Sequence, residues 1–200
     1  DFIGKRALHR SDTKRKDRKQ LIIDTALYVF SDLGIENTTI DEIAKQAGFG
    51  KATLYYYYQS KDEIYNDIIM NGWQKLWDEV EDDVVCTDNP KKKVFRILNT
   101  ISKVINRNNN LYKFLLEAPM HMQKANKQDW KTYQSRIYSI LETVIEQGCN
   151  DGDFIDLEPS IIMKAIGGLF HELLIGSKNI ITESDFELMI SNLILAKKPT

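Results

Sequence analysis

TTIDEIAKQAGFGKATLYYYYQSK, residues 38–61, is the stretch around which the rest of the chain is organised. Thr39 and, three positions on, Glu42 form a capping box, so the spacing predicts a helix opening at Ile40. Ile40, Ile43, Ala44 and Ala47 fall on one face of that helix. Gly48 suits the left-handed backbone that stops a helix, and Gly50 stands at the capping position of the next, which makes Gly48-Phe49-Gly50 the turn. A short second helix follows from Lys51 to about Tyr57, and Ser60 with Glu63 opens another at Lys61. Two helices joined by a tight turn bearing glycine make the helix-turn-helix pattern.

The second helix carries the chemistry. Leu54 and Tyr58 are spaced i and i+4 and face inward together. One inward stripe cannot bury four consecutive tyrosines, so two or three of the rings from Tyr55 to Tyr58 must reach the surface. Lys51, Thr53, Tyr55, Tyr56 and Tyr57 together offer a cation, hydroxyls, a methyl and amphipathic rings. Such groups read base edges and thymine methyls in a major groove and hydrogen-bond phosphates. The same residues also fit a tyrosine-rich packing helix, and composition leaves both readings open.

A resemblance decides between them. The segment resembles the N-terminal domain of the TetR family of bacterial transcriptional regulators, in Thr38-Thr39, in Ile43-Ala44-Lys45-Gln46-Ala47-Gly48, in Thr53-Leu54-Tyr55 and in Ser60-Lys61. It implies that Lys51, Thr53, Tyr56 and Tyr57 face bases and that Thr39, Tyr55 and Lys61 grip phosphates. Two positions depart from the family's pattern: Gly50 stands where serine is common, which removes a side-chain cap, and Ala52 where glycine is common.

The 200 residues, 42% of them hydrophobic, are enough for one large or two small domains with a full core. No apolar run is long enough to span a bilayer, and no apolar stretch follows the basic start as it would in a signal peptide. The expectation is a cytoplasmic protein without membrane contact. Cys86 and Cys149 lack metal or redox spacing, which suits a reducing compartment, and no metal or cofactor is expected. The net charge of −2 hides an asymmetry. Residues 1–61 hold 11 Lys and Arg against 8 Asp and Glu, while residues 62–200 hold 16 against 21. The positive part contains the helix-turn-helix, and its cluster Lys14, Arg15, Lys16, Arg18 and Lys19 suits phosphates.

In chain order, residues 1–12 lack periodicity and read as a mobile basic arm, followed by a DNA-binding domain over 13–60 and a helical effector-binding and dimerisation domain over 61–200. Helix one is expected from Thr13 to Leu33, with Ile22, Ala26, Val29, Phe30 and Leu33 inward and Gly34 as its stop. The helix from Lys61 reaches about Asp83, and its acidic end, Asp78 to Asp83, opposes the helix dipole and is expected to fray. Asn89-Pro90 opens the next, which runs to about Asn106. A short helix over Leu111–Ala118, a long one over Trp130–Gln147 and a turn over Gly148–Asp153 follow. Ile161–Gly176 is apolar nearly all round, and its Gly167-Gly168 pair suggests close approach of another backbone or room for a ligand. The last helix covers about Ser184–Ala196. The fold class is therefore all-α: an N-terminal three-helix domain with a helix-turn-helix, then a larger helical domain.

The resemblance implies a homodimer built on a four-helix bundle from the last two helices of each chain, bound to double-stranded palindromic DNA. The function expected is a ligand-responsive repressor, released by a small apolar or aromatic effector. Trp73, Trp77, Tyr112, Leu115, Met120, Met122, Trp130, Tyr133 and Phe170 are the candidate pocket residues, and His121 or His171 a polar handle. Two other classes fit parts of the sequence. One is a DNA-binding dimer controlled by a partner protein. The other is an enzyme using His171-Glu172, or His121 with Glu117, as acid and base; no catalytic residue is assigned because no triad, phosphate loop or paired-His spacing accompanies them.

Overall fold

A computed structural model describes residues 2–86, 89–117, 129–176 and 182–195, with side chains placed except at 2–12, 117, 129–130, 174–176, 183 and 186. The chain divides into two compact units, Asp1–Asn71 and Gly72–Thr200, and the division falls inside one helix.

The first unit holds α1 (Phe2–Leu33), α2 (Ile40–Gln46), α3 (Lys51–Tyr57) and the first turns of α4 (Lys61–Val85). Its core is made by Ile22, Ala26, Val29 and Phe30 of α1, Ile43 and Ala44 of α2, Leu54 of α3, and Ile64, Tyr65 and Ile68 of α4. The Phe30 and Tyr65 rings meet edge-on at 6.3 Å. Leu33, expected inward, is exposed. The helix also begins at Phe2, so residues 2–12, read as an arm, are its opening turns. That stretch has no proline, and Lys5, Arg6, Ala7, Leu8 and Arg10 are strong helix formers, so propensity extends the helix where no apolar stripe marks it. Gly34 ends α1 with a φ of +78°, a conformation that β-carbons disfavour.

The second unit adds the rest of α4, then α5 (Pro90–Arg107), α6 (Asn109–Glu117), α7 (Asp129–Asn150), α8 (Pro159–Phe170) and α9 (Glu183–Ile194). α8 continues directly into a π-helical turn, His171–Gly176. α5 is the central element, touching α6, α7 and α9. Its amphipathic face explains this: Val94, Ile97, Leu98, Ile101, Val104 and Ile105 are all buried. Asn89 caps it by accepting from the Lys92 N–H, and Pro90 occupies its first position.

Two expectations need correcting and a third is narrowed. α4 does not fray before Val85, because its acidic end meets cations and a hydroxyl from α5. Arg107 donates to both Glu79 carboxylate oxygens at 3.1 and 3.3 Å, Thr100 donates to Asp83, and the Arg96 guanidinium lies 3.9 Å from Asp83. Gly148 is not a turn residue but lies within α7, and the turn glycine is Gly152 at φ +74°. Gly148 is needed for contact, since a β-carbon there would stand 2.2 Å from the buried Phe154 ring. Of the two alternatives for the glycine pair, room for a ligand is the one the described residues favour: none of their atoms lies within 4 Å of a β-carbon built on Gly167 or Gly168, and Gly167 lines a cavity. One non-helical pairing stands out: Phe154 and Leu195 form an antiparallel bridge, with the Ile155 N–H donating to the Ile194 carbonyl at 2.9 Å.

Candidate nucleic-acid interface and internal cavity

The helix-turn-helix is built by local bonds. The Thr39 hydroxyl accepts from the Glu42 N–H at 3.2 Å, and the Glu42 carboxylate accepts from both the Thr39 N–H and its hydroxyl at 2.8 Å. These bonds, the backbone one first, hold the Glu42 carboxyl below its usual pKa. At the other end the Phe49 N–H donates to the Ala44 carbonyl at 2.9 Å, and Gly48 takes a φ of +72°. Gly50 caps α3 in extended conformation without a side-chain bond, as its lack of a hydroxyl requires.

α3 buries Leu54 completely and is followed by the buried Tyr58. Tyr56, by contrast, is 71% exposed. Tyr55 and Lys51 are exposed too, and Thr53 and Tyr57 are half-buried. Thr53, Tyr56 and Tyr57 share a helical face by their spacing, and the Tyr56 and Tyr57 rings meet edge-on at 5.2 Å. The Lys51 ammonium sits 2.6 Å from the Asp41 carboxylate and 5.9 Å from the centre of the Tyr55 ring. Its pKa is raised, first by the hydrogen bond to Asp41 and then by that residue's charge. Thr39 is exposed, but its hydroxyl is engaged in the capping box.

Lys61 is differently placed. Its ammonium donates to the carbonyls of Ile35, Glu36 and Thr38 at 2.7, 3.1 and 3.1 Å. All three ammonium protons are thus matched by backbone oxygens of the segment joining α1 to α2. The residue closes that segment onto the start of α4, directly beside Thr39.

A second anchor fixes the end of α3. The Asp67 carboxylate accepts from the Tyr58 hydroxyl at 2.9 Å and pairs with Lys19 at 2.6 Å. The Lys19 ammonium also lies 5.3 Å above the Tyr58 ring. Burial, and then the Asp67 charge, push the Tyr58 phenol well above its usual pKa, so it remains a donor to the carboxylate. Lys19, from the basic cluster of α1, therefore serves this anchor, while Lys14, Arg15, Lys16 and Arg18 are exposed around it.

The second unit encloses a cavity of about 280 Å³, with walls from α4, α5, α6, α7, α8 and the π-helical turn. Of the residues expected at a pocket, Trp73, Tyr112, Leu115 and Phe170 line it. Trp77 and Tyr133 are not among its lining residues; Trp77 is buried beneath the Arg136 guanidinium, 3.9 Å from its ring centre. Met120, Met122 and His121 lie outside the described residues, as does the Trp130 side chain. His171 does line the cavity. Burial pushes the Tyr112 phenol up to about 12, so it is neutral at physiological pH. Sequence reasoning missed Leu98, Ile101, Ile105, Ile137, Tyr138, Leu141, Met163 and Ile166, which share this wall. Helical spacing points Leu98, Ile101, Ile105, Ile137 and Leu141 inward but cannot separate a cavity wall from a filled core, and it gives no such mark to Tyr138 or Met163. Sequence reasoning also missed Asp41 and Asp67, whose partners are distant in sequence.

The chain thus joins a helix-turn-helix unit to a helical unit that holds an apolar cavity. Residues 22–68 match a family model described as bacterial regulatory proteins, tetR family. Over 119 residues the chain is 34% identical to the biofilm operon icaADBC HTH-type negative transcriptional regulator IcaR of Staphylococcus epidermidis, covering 54% of this chain and 63% of that protein. The fold is shared with the ketosteroid transcriptional regulator KstR2 of Mycobacterium tuberculosis, at a TM-score of 0.78 and 18% identity over 90% of this chain and 96% of that one. It is shared also with AibR in complex with isovaleryl coenzyme A and operator DNA, at a TM-score of 0.75 and 19% identity over 88% and 97%. Residues 22–68 thus match the DNA-binding region of the tetR family, and the chain shares its fold with the solved regulators named here.

Proposed function

We propose that the protein is a transcriptional repressor of the cytoplasm that binds a palindromic operator as a homodimer and is released by a small, mostly apolar effector. The observation that carries this reading is the open face of α3: Tyr56 projects into solvent beside Thr53 and Tyr57 on a helix whose other side is pinned by Leu54 and Tyr58. A seven-residue helix held this firmly, with aromatic and hydroxyl groups facing outward, is suited to a major groove. Lys51, Thr53, Tyr56 and Tyr57 meet bases, with Thr39 and Tyr55 towards phosphates. Lys61 acts chiefly through the segment it closes. The negative regulation exercised by the S. epidermidis relative supports repression.

Dimerisation uses α8 and α9. Ile161 on α8 is 47% exposed and Leu188 on α9 63%, with Met189 next to Leu188 and the open glycine pair farther along α8. A two-fold axis then presents two α3 helices to half-sites about 34 Å apart. The effector occupies the cavity of the second unit. Because α4 begins at the helix-turn-helix and ends among the cavity helices, an effector that favours a different setting of α4 disfavours simultaneous engagement of both half-sites. Control by a partner protein is the competing reading, and release of DNA by a small apolar compound separates the two. The relatives named above are regulators, which favours this reading over an acid–base role for His171 and Glu172.

The test is selection of bound fragments from genomic and random DNA at fixed salt, with Tyr56→Ala alongside. Recovery of a palindrome that the variant does not hold is expected. Enrichment of the same fragments by both proteins would overturn the assignment of the reading face.

A further inference from the structure

α3 carries a single cation, Lys51, at its first position, and that cation is already engaged. The Asp41 carboxylate of α2 lies 2.6 Å from the Lys51 ammonium, which also stands 5.9 Å from the centre of the Tyr55 ring. Both side chains of the pair remain more than half exposed, Lys51 at 62% and Asp41 at 52%. They meet because the Gly48 turn, closed by the Phe49 N–H on the Ala44 carbonyl, folds α3 back against α2. The other acid in the first turn of α2, Glu42, is taken up by the Thr39 N–H and hydroxyl. Asp41 is left for Lys51, and the positive N-terminal end of α2 suits its charge.

The pair decides what the lysine can meet. A lysine without such a partner swings on a flexible four-carbon stem and takes a nearby phosphate, which adds affinity and no sequence information. An exposed ion pair is worth up to about fivefold in an equilibrium. One phosphate contact at physiological salt is worth about the same, so even this partner suffices to bias the ammonium. An ammonium has three donors, and Asp41 takes one of them. Two remain, the number that the N7 and O6 acceptors of a guanine call for in the major groove.

We propose that Asp41 is a positioning residue for base recognition: its carboxylate holds the Lys51 ammonium on the reading face of α3, set for guanine N7 and O6, and withholds it from the phosphates. This role rests on α3 being the helix that enters the major groove, as proposed above, and adds to it a residue of α2 that itself need touch no base. An Asp41 that only offset charge at the helix ends would change stability and leave sequence preference alone.

The natural sequence, Asp41→Asn, Lys51→Met and the double variant are compared as full chains by fluorescence anisotropy over a range of salt. The two probes are a duplex carrying the palindrome recovered by operator selection and a duplex of the same length and composition in shuffled order. Selection is also repeated with each variant. In Asp41→Asn the ratio of the two affinities should fall about fivefold, and the salt slope on the shuffled duplex should steepen by about 0.9 as Lys51 gains a phosphate. Tighter binding of the shuffled duplex also shows that this variant is folded. Motif positions whose preference Lys51→Met erases should be relaxed by Asp41→Asn. With Lys51 already replaced, Asp41→Asn should move neither the ratio nor the motif. An unchanged ratio in Asp41→Asn, an equal change in the Lys51→Met background, a motif indifferent to Lys51→Met, or a parallel loss on both probes would overturn the proposal and leave the repressor reading in place. Absence of any palindrome for the natural sequence would instead remove that reading, and the proposal with it.

Discussion

Replacing Lys61 with methionine keeps the length and apolar stem of the side chain and removes the charge that gathers the Ile35, Glu36 and Thr38 carbonyls. A hydrogen bond to a charged group contributes about 1.5–3 kcal/mol, but these carbonyls lie where water can replace part of the loss. The three bonds together are therefore set at about 2 kcal/mol, well below their simple sum. With a urea slope of about 2 kcal/mol per molar, the midpoint of the first unit should fall by about 1 M. Far-ultraviolet circular dichroism through a urea series measures it, since the three tryptophans lie outside that unit. Operator affinity is then measured at several salt concentrations. If Lys61 acts through the segment it closes, affinity falls while the slope of log K against log salt stays unchanged. If stability is untouched and that slope drops by about 0.9, one phosphate contact has been lost and the clamp is not its role. Lys61→Arg should not restore stability, because a planar fork cannot converge on three carbonyls as an ammonium does.

Tyr56→Ala, at a side chain in open solvent, should change stability by less than about 0.5 kcal/mol yet weaken operator binding by about 1–3 kcal/mol; thermal unfolding beside fluorescence anisotropy on a labelled operator checks both. Gly148→Ala gains up to about 1 kcal/mol in helix propensity but drives a methyl into the Phe154 ring, and overpacking of about 1–3 kcal/mol should prevail as a lower melting temperature. Gly168→Ala meets nothing among the described residues, so the free subunit should gain about 1 kcal/mol while the proposed α8 contact between subunits loosens; sedimentation equilibrium showing an unchanged dimer would remove residue 168 from that contact. The Glu42 carboxyl has a lowered pKa in the folded state, so its capping contribution is present above the unfolded value of 4.5 and lost as pH falls through the folded one. Amide exchange at the start of α2 should speed up over that acid range in the natural sequence, and Glu42→Gln should flatten the response.

The helix-turn-helix was legible because its determinants are close together in the chain. The Thr39 and Glu42 box, the Gly48 stop and the inward pair Leu54 and Tyr58 all act within four residues of one another. Lys61 could not be read the same way, because its acceptor at Ile35 lies 26 residues earlier. Lys51 and Asp41 are ten apart and meet only because the turn folds α3 against α2. The start of α1 was missed because propensity without an apolar stripe leaves no periodic mark. In the second unit the helices were visible and the cavity was not. Trp73 and Trp77, four residues apart and both buried, read alike in sequence, yet one faces a cavity and the other lies under Arg136.

The anchor on Asp67 bears on how operator preference can be re-engineered. Tyr58 stands one position beyond α3, and its carboxylate and ammonium partners come from α4 and α1. Grafting a new set of side chains onto Lys51, Thr53, Tyr56 and Tyr57 therefore leaves every member of that network in place. A library randomised at those four positions should yield mostly folded proteins, whereas one extended by a single residue to include Tyr58 would consist largely of misfolded ones.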